Sequence, residues 1–381
     1  MDKQLARACA LGVALFCAGG LSAQILVPIM AGGSAPCGAY AHCAALTYDY
    51  TKNGTANSSG FPALVSWSHA NMKLAADGYV QSATCADVLF FADAALTTQI
   101  PSEIEVCDTT NGIGTAWIYI GTLSYTASGT IHIAVGNAAP PARTSGVWAS
   151  EYMGVYHLPN GTTLTSLDSL GANNANPGGT GNAAVAGVVD GGIAFNGSGN
   201  LLLNSNQNFP ANFTISFWTQ NPTNTSGTYF AGAIQTGSAG IVQVFIATSS
   251  RIQMQIRDDA NSIINSYYVS AAPNLFDGGW HNITFVRAGS AIQGYLDGAA
   301  QSMTPAGSIN ANAITFSAAR ELAIGANNNR GTIGGYLTGN MDEFRIVGAA
   351  LSSSWILAEH NNQKTPGNIG TPGYWTWGAW K

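Results

Sequence analysis

The sequence predicts an all-β protein built of two β-sandwich domains. Short runs of alternating apolar and polar residues recur along most of its 381 positions, each closed by Gly, Asn, Asp or Pro, which is how strands and turns of a sandwich are written. Only 8% of residues are charged while hydrophobic residues reach 46%, so a core can form but the charge-rich surface of an average globular protein is missing. The length is long for one domain and comfortable for two.

The elements follow in order. Lys3 and Arg7 precede the apolar run Ala8 to Leu21, and Ala23 offers a small residue for cleavage before Gln24. Residues 1–23 are therefore read as a secretory signal peptide, with an uncleaved hydrophobic anchor as the alternative. Of six cysteines, Cys9 and Cys17 leave with that signal, and Cys37, Cys43, Cys85 and Cys107 remain. An even number in an exported chain implies disulfides, and proximity favours Cys37 with Cys43 and Cys85 with Cys107. No two of the four form a Cys-x-x-Cys pair, which weakens the competing metal reading. A secreted or cell-surface protein is expected.

After an N-terminal segment, 24–43, which holds the first Cys pair, the first β domain spans 44–150. Its clearest strands are Phe61–Val65, Val88–Phe91, Ala116–Ile120 and Thr130–Val135. Asn160 to Gly192 is rich in Asn, Gly, Thr and Ala and reads as a linker or long loop. Alternation returns in Phe213–Trp218, Ile241–Ile246, Arg251–Ile256, His281–Val286 and Ile292–Leu296, and Asp297-Gly298 closes the last as a hairpin turn. Ser352-Ser353-Ser354 before Trp355–Glu359 predicts an N-capped short helix. The tail, 364–381, ends in Gly373-Tyr374-Trp375-Thr376-Trp377-Gly378-Ala379-Trp380 and is expected to add an edge strand, to dock or assemble with a partner, or to stay exposed.

The second half carries an ordered set of motifs: Phe195-Asn196-Gly197, Phe213–Trp218, Gly279-Trp280-His281-Asn282-Ile283, Tyr295-Leu296-Asp297-Gly298, Ile324-Gly325-Ala326 and Gly339–Ile346. Together they resemble the laminin G-like, concanavalin A-like lectin/glucanase superfamily. The segment before it resembles the DUF2341 domain through Phe61–Val65, Asp87–Phe90, Ile100–Glu105, Ala116–Ile120, Val135-Gly136-Asn137 and Gly146-Val147-Trp148, with Met153–Leu158 as the junction. The resemblance implies a concanavalin A-like jelly roll over 151–363 after a β-rich first domain. It implies no particular activity, since fold and function separate easily.

Ser102–Asp108, "SEIEVCD", is the most chemically suggestive run. Glu103, Glu105 and Asp108 approach the spacing of acids that glucanases of this superfamily carry on one strand, but the third acid would face the wrong way without a bulge. The run also lies outside the lectin-like part, so the resemblance assigns it to strand structure and no catalytic residue is expected. His281, at a strand start, reads as a structural histidine. No Gly-x-Ser-x-Gly, His-Glu-x-x-His or dinucleotide loop occurs.

Three ligand expectations remain. Lectin-like jelly rolls often hold calcium, and Asp342, with Glu343 beside it, could supply oxygens together with Asp190 and the Asp190-Gly191-Gly192 carbonyls; the alternative is that the two acids straddle a strand, one pairing Arg345 and one facing water. Sugar rings stack on aromatics, and Tyr267, Tyr268 and Tyr336 are read as surface candidates, while Trp218 and Trp280 are read as core. Thirteen Lys and Arg in a chain of net charge −6 leave no basic stripe for nucleic acid. The expected function is non-enzymatic recognition or adhesion, with a glycan or glycoprotein surface as partner; the alternatives are a virion or appendage decoration protein and a glycoside hydrolase.

Overall fold

The computed structural model describes residues 37–158, 164–235, 240–248, 250–269, 274–316 and 320–381. The expected signal peptide, 1–23, and residues 24–36 lie outside them. The described strands are antiparallel throughout, save for the pairing of Asn327–Asn329 with Thr228–Ile234, and the fold is all-β as expected.

The first sandwich stacks two small sheets. One runs Trp375–Trp377, His42–Tyr48, Thr130–Val135, Leu89–Phe91; the other runs Ser58–Ser68, Ile113–Leu123, Ser102–Asp108. Phe61, Ala63, Val65, Ile118, Ile120, Ile131, Ile133 and Val135 alternate inward and fuse with Phe90 and Trp375 into one core, as the period of two requires. Both expected disulfides are formed, Cys37–Cys43 and Cys85–Cys107. The second ties the strand bearing "SEIEVCD" to the loop before Leu89.

The aromatic tail is neither docked elsewhere nor free. Leu46, Thr47 and Tyr48 pair with Trp377, Thr376 and Trp375, so the C-terminus completes the sheet that the N-terminal strand begins. Tyr374 and Trp375 are fully buried, because their apolar area is worth more in that core than in water.

The second sandwich has an eight-stranded and a ten-stranded sheet. Trp280–Ala288, Asn212–Gln220 and Thr338–Val347 form the middle of the first; Ile263–Val269, Arg251–Arg257, Ile241–Ile246 and Thr228–Ile234 form that of the second. Phe213, Ile215, Phe217, Phe230, Val244, Met254, Phe285 and Phe344 fill the space between them. The Gly- and Asn-rich stretch read as a linker instead contributes Ala175–Gly179 and Ala183–Ala186 at sheet edges. Backbone pairing with inner strands, not side-chain pattern, holds these residues extended, which is why alternation did not reveal them. Asp297 and Gly298 turn the hairpin with φ of 52° and 76°, as the type I′ geometry demands.

One helix, Ser353–Lys364, lies between the sandwiches. The Ser352 hydroxyl caps it by accepting from the Trp355 amide. Trp355 packs edge-on to Phe61 of the first sandwich, and Ile356 packs with Val286 and Tyr295 of the second. The Asn362 side chain bonds both the amide and the carbonyl of Leu64. It thereby satisfies a strand edge that would otherwise carry open backbone groups.

Candidate functional site

Two places in the molecule collect functional side chains. The first is the junction between the sandwiches, where "SEIEVCD" turns out to lie. Its strand pairs with Ile113–Leu123, and the register shifts between Ile104 and Val106. That bulge leaves Ile104 packed toward the first core, while Glu103 and Glu105 point at the second sandwich. Asp108 does not join them: its carboxylate accepts from the Thr110 and Asn111 amides and from the Asn111 side chain, closing its own turn. The three acids are therefore not assembled into one cleft.

From the other side comes Thr338–Val347. Glu343 has φ of 51°, a left-handed conformation that side chains other than Gly rarely adopt, and the register with Asn212–Gln220 shifts at the same place. The bulge turns Asp342, Glu343 and Arg345 off the core while Met341, Phe344 and Ile346 stay in it. Of the alternative to calcium, one half holds, since Glu343 pairs with Arg345, and the other does not, since Asp342 is buried rather than facing water.

A network results. His157 Nδ1 lies 2.8 Å from Glu343 Oε1, and 3.6 Å from Glu105 Oε2. Arg345 reaches Glu343 and Glu359, each at 2.5 Å, with its guanidinium 4.3 Å over the Trp117 ring and 5.1 Å over Trp148. Trp117 donates to Glu105 at 2.7 Å, and Trp148 donates to Glu103 at 2.6 Å. Burial raises the Glu105 carboxyl to about 8, against the pull of His157. Burial also opposes charge on His157, but Glu343 and Glu105 more than reverse it and push the imidazole up to about 9. Glu343 faces the same burial, which its two cationic neighbours overcome, so it is held below its ordinary value. Glu105, His157 and Glu343 offer three donor atoms within 4.8 Å of one another; the guanidinium and the protonated imidazole already compensate Glu343 there.

The calcium expectation falls beside this network. Asp342 is fully buried; its Oδ2 accepts from the Val188 and Val189 amides at 2.7 and 2.9 Å, and its Oδ1 has no hydrogen-bond partner. Burial, with Glu343 nearby, holds its carboxyl well above the ordinary range. Asp190 is exposed, with φ of 60°, in the turn that wraps Asp342.

The second place is the outward face of the ten-stranded sheet. In Arg251–Arg257 the inward positions are Ile252, Met254 and Ile256, which leaves Arg251, Gln253, Gln255 and Arg257 outside. Register then aligns two rungs. Tyr229, Phe245, Gln253 and Tyr267 form one, and Gln243, Gln255 and Asn265 the other. Tyr229 and Phe245 stack at 5.0 Å, and Arg251 sits 4.4 Å over the Tyr267 ring. Gln253 and Gln255 both donate to Asn265, at 3.2 and 2.5 Å, whereas Gln243 is buried beside the Tyr229 hydroxyl.

The tyrosines expected at the surface divide. Tyr267 is outward and half-buried. Tyr268 is a core residue, 2% exposed and stacked with Phe285, because its neighbour on the strand must face the opposite way. Tyr336 is half-buried, its hydroxyl donating to the Ile333 carbonyl; it follows Gly335, where a side chain would meet the Tyr229 ring at 2.4 Å. Trp218 is core, as read, while Trp280 is half-buried. His281 is held between Asp297 at 2.8 Å and Asp277 at 3.0 Å. The aromatic–amide rungs are not legible in the sequence, because Ile263–Val269 reads in like pairs, Ile-Ile, Asn-Ser and Tyr-Tyr, and only its burial alternates.

Fold and sites define a class: an all-β protein of two sandwiches, the second a lectin-type jelly roll. Residues 195–357 match the family described as the concanavalin A-like lectin/glucanases superfamily, and the concanavalin A-like fold is that of the second sandwich. No curated protein matches the chain. Among solved structures, domain 4 of an extracellular arabinanase from Geobacillus stearothermophilus in complex with arabinotriose is similar at 17% identity and a TM-score of 0.43, over 55% of this chain and 98% of that one. The binding domain of Paraclostridial mosquitocidal protein 1 is similar at 17% identity and 0.38, over 55% and 52%. The receptor-binding domain of botulinum neurotoxin mosaic serotype C/D follows at 14% and 0.41, over 56% and 51%. The chain spans about half the length of these two toxin domains. No helix among the described residues is long and apolar enough to cross a membrane.

Proposed function

We propose that this is a secreted, non-catalytic recognition protein that binds glycans on the outward face of its ten-stranded sheet. The observation that carries the reading is the pair of rungs, with Tyr229, Phe245 and Tyr267 beside Gln243, Gln253, Gln255 and Asn265. Aromatic faces accept the apolar C–H side of a sugar ring, while amides offer both donors and acceptors to its hydroxyls. The two disulfides fit an oxidising, extracellular setting. The DUF2341-like identity of residues 44–150 belongs to the same proposal and rests on the motifs quoted above.

The test is a glycan array probed with the full chain and with Tyr267→Ala and Gln255→Ala. Binding by the native chain, lost in both variants, with bound glycans recovered uncut, is the expected result. An array with no bound glycan, or one unchanged by the two substitutions, refutes the reading; shortened glycans favour the hydrolase.

Calcium at Asp342 and Asp190 is a second part of the proposal. A buried carboxylate oxygen with no partner suits a hard cation, which takes oxygen ligands from carboxylates and backbone carbonyls. Calcium there would neutralise Asp342 and fasten the 187–191 turn to Thr338–Val347. Melting of the full chain in EDTA and in added calcium checks this, an unchanged midpoint being the negative result.

A further inference from the structure

We infer that a cavity at the junction, walled by residues of both domains, is a binding pocket for a single neutral sugar ring, separate from the outward sheet face. The cavity measures about 410 Å³ and is lined by Ser102, Glu103, Ile104, Arg143, Trp148 and Leu170 among others. That volume is near the lower end for small-molecule sites, which run from about 300 to 1,000 Å³. It suits one ring of a saccharide rather than a chain. Ser145 and Gly146 on its rim are exposed, so the pocket opens to solvent.

Its polar groups are held in place but not used up. Glu103 accepts one hydrogen bond on each oxygen, from Trp148 Nε1 at 2.6 Å and from Ser169 Oγ at 2.8 Å. Its side chain remains 31% exposed, and each carboxylate oxygen can take a further donor. Arg143 is anchored by Nη2, which donates to the carbonyls of Cys85 at 2.6 Å and Val88 at 3.1 Å, yet its buried Nε has no partner. The Ser102 hydroxyl is buried and also has none. These two atoms are enclosed by the protein and keep their residues fixed in the wall, so the groups open to a ligand are the Glu103 carboxylate and the outer edge of the Arg143 guanidinium.

The balance of charge selects the class of ligand. Glu103 faces His157 at 3.7 Å and Arg143 feels the charge of Asp87, so both lining charges are already compensated and a ligand with net charge finds no unpaired counter-ion. A polyol suits both, donating to Glu103 and accepting from Arg143. Trp148, Ile104 and Leu170 supply the apolar surface that the C–H face of a pyranose covers. None of these groups belongs to the outward-face rungs, and this inference does not rest on them.

The test is saturation-transfer NMR and calorimetry on the full chain with D-glucose, D-galactose and D-glucuronate. D-glucose or D-galactose is expected to bind, and D-glucuronate to bind more weakly. Arg143→Met and Glu103→Ala should each weaken the neutral sugar by roughly tenfold, about what one lost hydrogen bond implies. Leu170→Trp should block the pocket, with the melting curve confirming that each variant is folded. Tyr267→Ala, which removes the outward-face site, should leave the monosaccharide signal intact. Absence of binding by both neutral sugars, preference for D-glucuronate, persistence of binding in folded Leu170→Trp, or its loss in Tyr267→Ala would each overturn the assignment.

Discussion

His157 and Glu343, 186 positions apart in the chain, meet at 2.8 Å between neighbouring strands of the second sandwich, buried where it faces the first. Arg345 pairs with the other oxygen of Glu343 at 2.5 Å, so that carboxylate is the hub to which both cations bind. A buried ion network of this kind is costly to break from one side, since the groups left behind stay charged and dry.

Glu343→Gln should therefore destabilise the protein by roughly 3 to 5 kcal/mol. Urea unfolding of the native chain and the variant reads this directly. A variant as stable as the native chain would mean that the network contributes only orientation.

The dependence on pH should follow the same residues. Glu105 and His157 are raised in the folded protein to about 8 and about 9, from ordinary values of 4.5 and 6.5. The folded state thus holds these protons more tightly than the unfolded one, and the stability they give is complete at low pH and lost as pH rises through those folded values. His360 runs oppositely: burial lowers it from 6.5 to about 4, so its contribution is lost as pH falls through that interval. Thermal melts from pH 4 to pH 9 should show stability declining toward both ends, and Glu105→Gln should flatten the alkaline limb.

The tail offers a prediction of the opposite kind from docking. Trp375 is fully buried and donates to the Leu64 carbonyl at 2.7 Å. Trp375→Ala should cost about 3 to 5 kcal/mol, the usual penalty for emptying an aromatic site in a core. A variant that keeps its stability but loses a binding partner would restore the docking idea.

The two disulfides should differ in weight. Cys85–Cys107 closes a separation of 22 residues and Cys37–Cys43 one of 6. Loop-closure entropy then assigns about 3 kcal/mol to the first and about 2 kcal/mol to the second. Denaturation of the Cys85→Ser/Cys107→Ser and Cys37→Ser/Cys43→Ser pairs ranks them.

"SEIEVCD" shows what a linear reading can and cannot reach. Family resemblance placed it in a strand, and nearness in sequence matched its cysteine to Cys85; both are read from residues close together in the chain. Its acids were legible as unusual, but not as partners of His157, Glu343 and Arg345, whose own segments gave no sign of facing them. The two bulges that aim these side chains, at Glu105 and Glu343, arise from the way neighbouring strands pair, and pairing is absent from either strand alone.

The sequence by itself determined the all-β class, most of the strands with large apolar side chains, the Ser352-capped helix and the Asp297-Gly298 turn, because each depends on interactions within a few residues. Only the tertiary structure decided that Tyr268 faces the core and Tyr267 the surface, that the aromatic tail closes the first sheet, and that five acids and two cations share one junction. Those outcomes depend on which chain segments lie against one another, and it is burial in that contact which sets their charges.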